Sequence, residues 1–237
     1  MSNILIGTCD YPHDRARYLS EFLTVEHHIG GLHPPGDKML KGWAAETSED
    51  FRHIWVASKD FIDEPRRGSE RVGQALGHFV DSQQNRSLWG EVKARAAMLG
   101  AKTILLDTPS AFTPSPANKE RLTRFALDWA KLPEGVNLAW FAAGFWEREE
   151  CAELCEQLGI TLALDPLVDP SEALPEHEKI YFRLLGAHGL RDHYSDDALE
   201  MLIDLCEDFE EAVVIFKTEK PIKDALRMKA LLEGTAD

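Results

Sequence analysis

Eight short apolar runs rich in β-branched residues recur along the chain, and each is followed by a stretch of helical periodicity. Strands alternating with helices predict an α/β protein with a parallel sheet, and the count of eight favours closure as a TIM-type (β/α)8 barrel. The length of 237 residues suits that reading, because such barrels run to roughly 200–250 residues as one domain. A single-domain barrel spanning 1–237, not necessarily regular, is therefore the expectation. A doubly wound open sheet is the alternative. It loses ground because no G-x-G-x-x-G follows the first run, and "GTCDYPHD" offers no pair of glycines to cradle a dinucleotide phosphate.

The expected strands are Ile4–Thr8, Thr24–Ile29, Ile54–Ala57, Thr103–Asp107, Val136–Phe141, Thr161–Asp165, Ile180–Leu185 and Val213–Phe216. The helices between them carry their own punctuation. Gly100 in "WGEVKARAAMLGAK" and Gly159 in "EECAELCEQLGIT" are placed to end helices just before the fourth and sixth strands. Ser195 is placed to cap a helix whose first turn is acidic, where carboxylates complement the helix dipole. Pro221 suits the first turn of the last helix. Residues 58–90, polar and marked by glycines, are the least legible part and read as an excursion or a lid. Trp89 and Phe79 within it are expected on the core face of a helix, with a subunit interface as the alternative.

Composition narrows the function. Hydrophobic residues make up 44% and charged ones 28% of the chain, the balance of a soluble globular protein. The net charge is −15, from 26 basic and 41 acidic residues. With no basic stripe beyond Arg66-Arg67, this argues against a nucleic-acid partner. No run approaches the ~18 apolar residues of a membrane span, and the opening "MSNILIGTCDYPHD" does not read as a secretion signal. The four scattered cysteines fit a reducing cytoplasm. Cys151 and Cys155, one helical turn apart, fit core packing better than a zinc site.

Chemistry in a barrel gathers at the carboxyl ends of the strands, so the residues there are the candidates. Side chains two apart on a strand share a face, which pairs Glu26 with His28 and Tyr181 with Arg183. Asp107 and Asp165 end the fourth and sixth runs, and Lys217 follows the eighth. As a pocket, this set would use Arg183 to hold an anionic or carbonyl group, Glu26 or Asp165 as base, and His28 as proton carrier or ligand. Alternatively, Glu26 and Arg183 form a buried ion pair that braces the strand ends. No ligand spacing supports a metal site from His28, Asp165 and Cys9, or from His33, so neither metal nor cofactor is expected. Ser110 lacks the context of a nucleophile elbow.

Taken together, several stretches resemble the YecE-like family, TIM-barrel proteins that share domain of unknown function 72. "ILIGT" is similar to the family's first strand. "TVEHHIGGLHPPGDKMLKGWAAETSEDF" follows its V-E-I-N-S-T-F-Y and W-x-x-x-T-P-x-x-F segments through Glu26, Trp43, Thr47 and Phe51. "ILLDTPSAF" keeps Pro109, Ser110 and Phe112 of L-x-Q-L-P-P-S-F, and "AWFAAGFW" keeps Phe141 and Trp146 of V-E-F-R-H-P-S-W. "YFRLLG" keeps Tyr181, Arg183 and Gly186 of Y-V-R-L-H-G. The departures are equally marked. The strand-two asparagine is His28, and the E-x-R-H cluster is replaced by Trp140, Ala142 and Ala143. The histidine of R-L-H-G is Leu185, the glutamine before the prolines is Asp107, and the asparagines after the last strand are Lys217 and Thr218. The resemblance implies the barrel and the location of a site, with no settled activity.

Two readings follow. In the first, a divergent member binds a small-molecule ligand or a protein partner at the carboxyl-end mouth, where Trp140 and Leu185 have replaced polar groups. In the second, it is a hydrolase or isomerase acting on a small polar, phosphorylated or sugar-like substrate. There Glu26 serves as base, and Arg183 and Lys217 clamp the substrate. The loss of polar groups from the mouth favours the first reading, by a thin margin, with the enzyme as the alternative. The residues are silent on oligomeric state.

Overall fold

A computed structural model describes residues 2–11, 14–28, 35–65, 68, 71, 73–168, 174–186 and 193–234. Its strands are β1 (Asn3–Cys9), β2 (Thr24–His27), β3 (Arg52–Val56), β4 (Thr103–Thr108), β5 (Asn137–Ala142), β6 (Thr161–Leu164), β7 (Lys179–Leu184) and β8 (Glu211–Phe216). They follow in sequence order as the staves of a closed (β/α)8 barrel. The principal helices are α1 (Arg15–Glu21), α2 (Asp37–Ala45), α3 (Lys59–Ile62), α4 (Gln83–Leu99), α5 (Pro116–Arg124), α6 (Arg148–Leu158), α7 (Asp196–Glu207) and α8 (Pro221–Gly234). The strands appear where the apolar runs predict them, with ends displaced by a few residues. Polar residues that begin a strand escape a hydrophobicity pattern yet still pair: Glu211 stands opposite both Asn3 and Lys179. Ile29, expected to close the second strand, lies outside the described residues, as do Arg66, Arg67 and His33.

The helix punctuation follows the expected chemistry. Gly100 and Gly159 adopt left-handed φ of 71° and 63° at the ends of α4 and α6, a conformation without steric penalty for glycine. The Ser195 hydroxyl accepts from the Ala198 amide at the start of α7, and Pro221 opens α8. Among the described residues no helix is long and apolar enough to cross a membrane.

The chain divides into two compact units. The first comprises Met1–His27, Ser48–Arg52 and Thr161–Asp237. In it β6, β7, β8, β1 and β2 pair in that order as parallel neighbours. Tyr18 of α1 pins two of these strands: its hydroxyl accepts from the Thr8 amide and donates to the Thr24 carbonyl. Gly7 is required where β1 and β2 run closest, because a Cβ there would stand 2.3 Å from the Thr24 carbonyl oxygen.

The second unit comprises His28–Thr47 and His53–Ile160, with β3, β4 and β5 in parallel. Its core is aromatic. Phe61, Phe79, Trp89, Phe125 and Trp129 form a continuous set of ring contacts, and the Trp89 indole donates to the Ala130 carbonyl at 2.6 Å. Trp89 and Phe79 are thus core residues. Phe79 reaches the core from a turn rather than a helix, in which Gly77, His78 and Phe79 all have positive φ. That turn is held by the Asn85 side chain, which bonds the Gly77 amide and carbonyl and the Val80 carbonyl. The described part of region 58–90 is accordingly packed into the unit. Cys151 and Cys155 are buried on α6, and all four cysteines are thiols.

Candidate functional site

In the first unit, strand register assembles a buried polar network. Cys9 lies opposite Glu26, and Arg183 lies opposite Ile215, which in turn faces Gly7. Tyr181 is two residues before Arg183 and shares its face. The Arg183 side chain reaches Glu26, donating from Nε at 3.2 Å and from Nη2 at 2.8 Å, both to Oε1. The Tyr181 hydroxyl donates to Oε2 at 2.6 Å. Glu26 and Arg183 are 0% and 1% exposed. Sealing two charges from water costs several kcal/mol per ion, and only full pairing with good geometry offsets it; three donors on one carboxylate meet that condition. Burial, reinforced by the adjacent Glu26 charge, lifts the Tyr181 phenol well above its ordinary range, so it remains a donor.

Other candidates stand around this network. The Cys9 thiol is pushed up to about 12, first by burial and then by the Glu26 and Asp10 carboxylates, against a weaker opposing pull from Lys217 and Arg183. A thiol so perturbed is a poor nucleophile. Asp165 accepts from the Leu167 amide on Oδ1 and the Leu185 amide on Oδ2, each at 3.0 Å. It thereby ties the turn after β6 to the end of β7. Lys217 follows β8 directly, its amide bonded to the Leu184 carbonyl. Its side chain is half-buried and has no ion-pair partner among the described residues.

In the second unit, His28 lies just past the end of β2, and its Nε2 is 3.8 Å from Asp107 Oδ2. Both side chains are about a quarter exposed, at 23% and 24%. Asp107 stands opposite Phe141, so Trp140, the preceding residue, projects from the other face of the sheet. Trp140 is fully buried there, its indole donating to the Thr108 hydroxyl at 3.0 Å and its ring edge-on to Trp146. Trp140, which the sequence places at the barrel mouth with the candidate substrate-binding residues Arg183, Tyr181, Lys217 and Asp107, is thus a buried side chain packed on Thr108 and Trp146.

The structure therefore brings Glu26, Tyr181 and Arg183 together, and His28 with Asp107. Among the described residues no group of three or more His, Cys, Asp or Glu side chains could hold a metal ion. One polar cluster escapes the sequence reading. Asp224 on α8 is fully buried, beside Thr218, Tyr194 and Arg227. Its signal was available: Asp224 shares the buried side of α8 with Ala225 and Met228, an odd place for a carboxylate.

The eight strands and their helices place the chain among the parallel (β/α)8 barrel proteins. Over residues 10–237 the chain matches the family described as protein of unknown function DUF72, and it belongs to that family. A DUF72 family protein of Enterococcus faecalis superposes with a TM-score of 0.70 at 15% identity, covering 98% of both chains. One from Thermotoga maritima does so at 0.69 and 17%, covering 98% of this chain and 99% of that one. A family 2 AP endonuclease from Brucella melitensis gives 0.56 at 12% identity, over 98% and 99% of the two chains. At such identities the shared property is the fold. No curated protein matches the chain in sequence.

Proposed function

We propose that this chain binds a small anionic molecule at the carboxyl ends of β1, β2, β7 and β8, with Lys217 as the cation that meets it. In this reading Glu26 is a fixed structural counterion rather than a base. One observation carries it: both Glu26 oxygens are taken by Arg183 and Tyr181 in a sealed position, whereas Lys217 on the neighbouring strand end is partly exposed without an ion-pair partner among the described residues. A general base needs a lone pair within reach of a substrate proton. An unpaired ammonium at a strand end is a point charge suited to carboxylate or phosphate. Asp165, with each oxygen accepting a backbone amide, joins the scaffold on the same argument. The DUF72 fold supports the location, since barrels place their sites at this end.

Isothermal titration calorimetry with inorganic phosphate, citrate and a sugar phosphate tests the proposal. At least one anion is expected to bind, with Lys217→Ala weakening it tenfold or more and Glu26→Gln changing it by less than about threefold. Absence of heat with every anion, or equal binding by Lys217→Ala, overturns the reading and turns the search toward a protein partner. Turnover of a bound anion that Glu26→Gln abolishes would reinstate Glu26 as a base.

A further inference from the structure

The Asp224 cluster in the first unit has the construction of a proton-linked latch. Asp224 is 0% exposed. Its Oδ2 accepts from the Thr218 hydroxyl at 3.1 Å, while its Oδ1 has no hydrogen-bond partner among the described residues. The nearest cation is the Arg227 guanidinium, one turn along α8, with Nη1 3.6 Å from Oδ1. That same nitrogen is committed elsewhere, donating to the Tyr194 carbonyl at 2.7 Å, and Nη2 pairs with Asp196 at the start of α7. Tyr194 continues the chain of contacts: its hydroxyl accepts from the Gly186 amide just past β7, and its ring lies edge-on to Phe216 at the end of β8. One buried carboxylate thus sits at the junction of α8, the turn after β8 and residues 193–196.

A buried carboxylate with an oxygen left unbonded is costly in its charged form. We propose that Asp224 makes this junction pH-sensitive: ionised, it biases the junction toward local opening; protonated, it holds residues 193–196 closed on α8. Burial raises its pKa, and Thr218, Arg227, His193 and the Tyr194 backbone oppose that rise without cancelling it. The sign follows from linkage. The closed junction holds the Asp224 proton more tightly than an opened, hydrated one, so closure strengthens as pH falls and weakens as pH rises through the closed-state pKa. The charged and titratable groups facing Asp224 are Arg227 from its own helix, and His193 and the Tyr194 phenol from the segment before α7. Asp196 acts through Arg227, and Asp165 through Tyr194. The inference does not depend on the anion site proposed above.

Hydrogen exchange read by mass spectrometry at pH 4 and pH 7, bracketing the range just above the ordinary carboxylate pKa and corrected for intrinsic exchange, tests it without a ligand. In the wild-type chain, peptides covering 193–199 and 217–225 are expected to open more readily at pH 7 than at pH 4, by up to about tenfold per unit by which the closed-state pKa is raised. Asp224→Asn, neutral at every pH, is expected to show equal protection at both values. His193→Gln, which removes the neighbouring imidazole, is expected to keep the wild-type dependence. If Asp224→Asn does not fold, His193→Gln still decides: dependence that follows His193 overturns the proposal. So does wild-type protection that is the same at both pH values, or pH dependence that persists in Asp224→Asn.

Discussion

Replacing Arg183 by Met would strand the Glu26 carboxylate. Arg183 supplies two of the three donors to Glu26, and both residues are sealed from water. Met fills a similar volume without a charge, so packing is largely retained while the anion loses its counterion. Breaking one side of a buried pair costs about 3–5 kcal/mol. For a chain of this size each kcal/mol shifts the melting temperature by roughly 2–4 °C, which corresponds to a fall of about 6–20 °C in a circular-dichroism melt. The pairing account makes a second, sharper demand. Glu26→Gln in the same chain removes the stranded charge and keeps an oxygen for the Tyr181 hydroxyl. The double variant Arg183→Met/Glu26→Gln is therefore expected to regain at least half of the loss, a coupling of about 2 kcal/mol. A single variant within 1 kcal/mol of wild type, or a double variant whose loss equals the sum of the two single ones, would refute the reasoning.

Gly7→Ala is expected to destabilise by about 1–3 kcal/mol in urea titration, because its Cβ would fall 2.3 Å from the Thr24 carbonyl oxygen and push β1 from β2. His53, buried on β3 with Nε2 3.2 Å from the Thr47 hydroxyl, is lowered by burial from 6.5 to about 4. The unfolded chain then binds its proton first, so stability present above pH 6.5 is lost as pH falls toward 4. Urea midpoints from pH 7 to 4 are expected to show that loss, with the dependence reduced in His53→Gln. The Cys9 thiol, at about 12, is expected to react with iodoacetamide at pH 8 about a thousandfold more slowly than an unperturbed thiol, by thiolate fraction; rapid native labelling at Cys9 would contradict its assigned surroundings.

The parts that could be read along the chain were those whose cause is local. Strands announced themselves through β-branched runs such as Thr103–Asp107, which lies within β4, and Gly100 and Gly159 marked helix ends through their left-handed conformation. Glu26, Tyr181 and Arg183 could be nominated as strand-end residues, and their pairing could be raised as one of two alternatives. Choosing it required register, since Arg183 on β7 reaches Glu26 on β2 with β8 and β1 intervening. Register also decides Trp140: periodicity cannot tell which face of β5 meets the helices, and the Asp107–Phe141 pairing does. Asp224 went unread although it shares one side of α8 with Ala225 and Met228, and its contacts with Thr218 and Arg227 emerge only in the fold. The turn at Gly77–Phe79 was illegible for a similar reason. Its polar, glycine-marked sequence reads as an excursion or a lid, yet Asn85 and the aromatic core hold it inside the second unit.

Native mass spectrometry of the wild-type chain and Lys217→Ala, each equilibrated with the tightest anion found by calorimetry, tests the central claim most directly. The account predicts one added anion mass on the wild-type chain, retained in Glu26→Gln and absent from Lys217→Ala. A bare wild-type mass, or an anion held equally by Lys217→Ala, would contradict it.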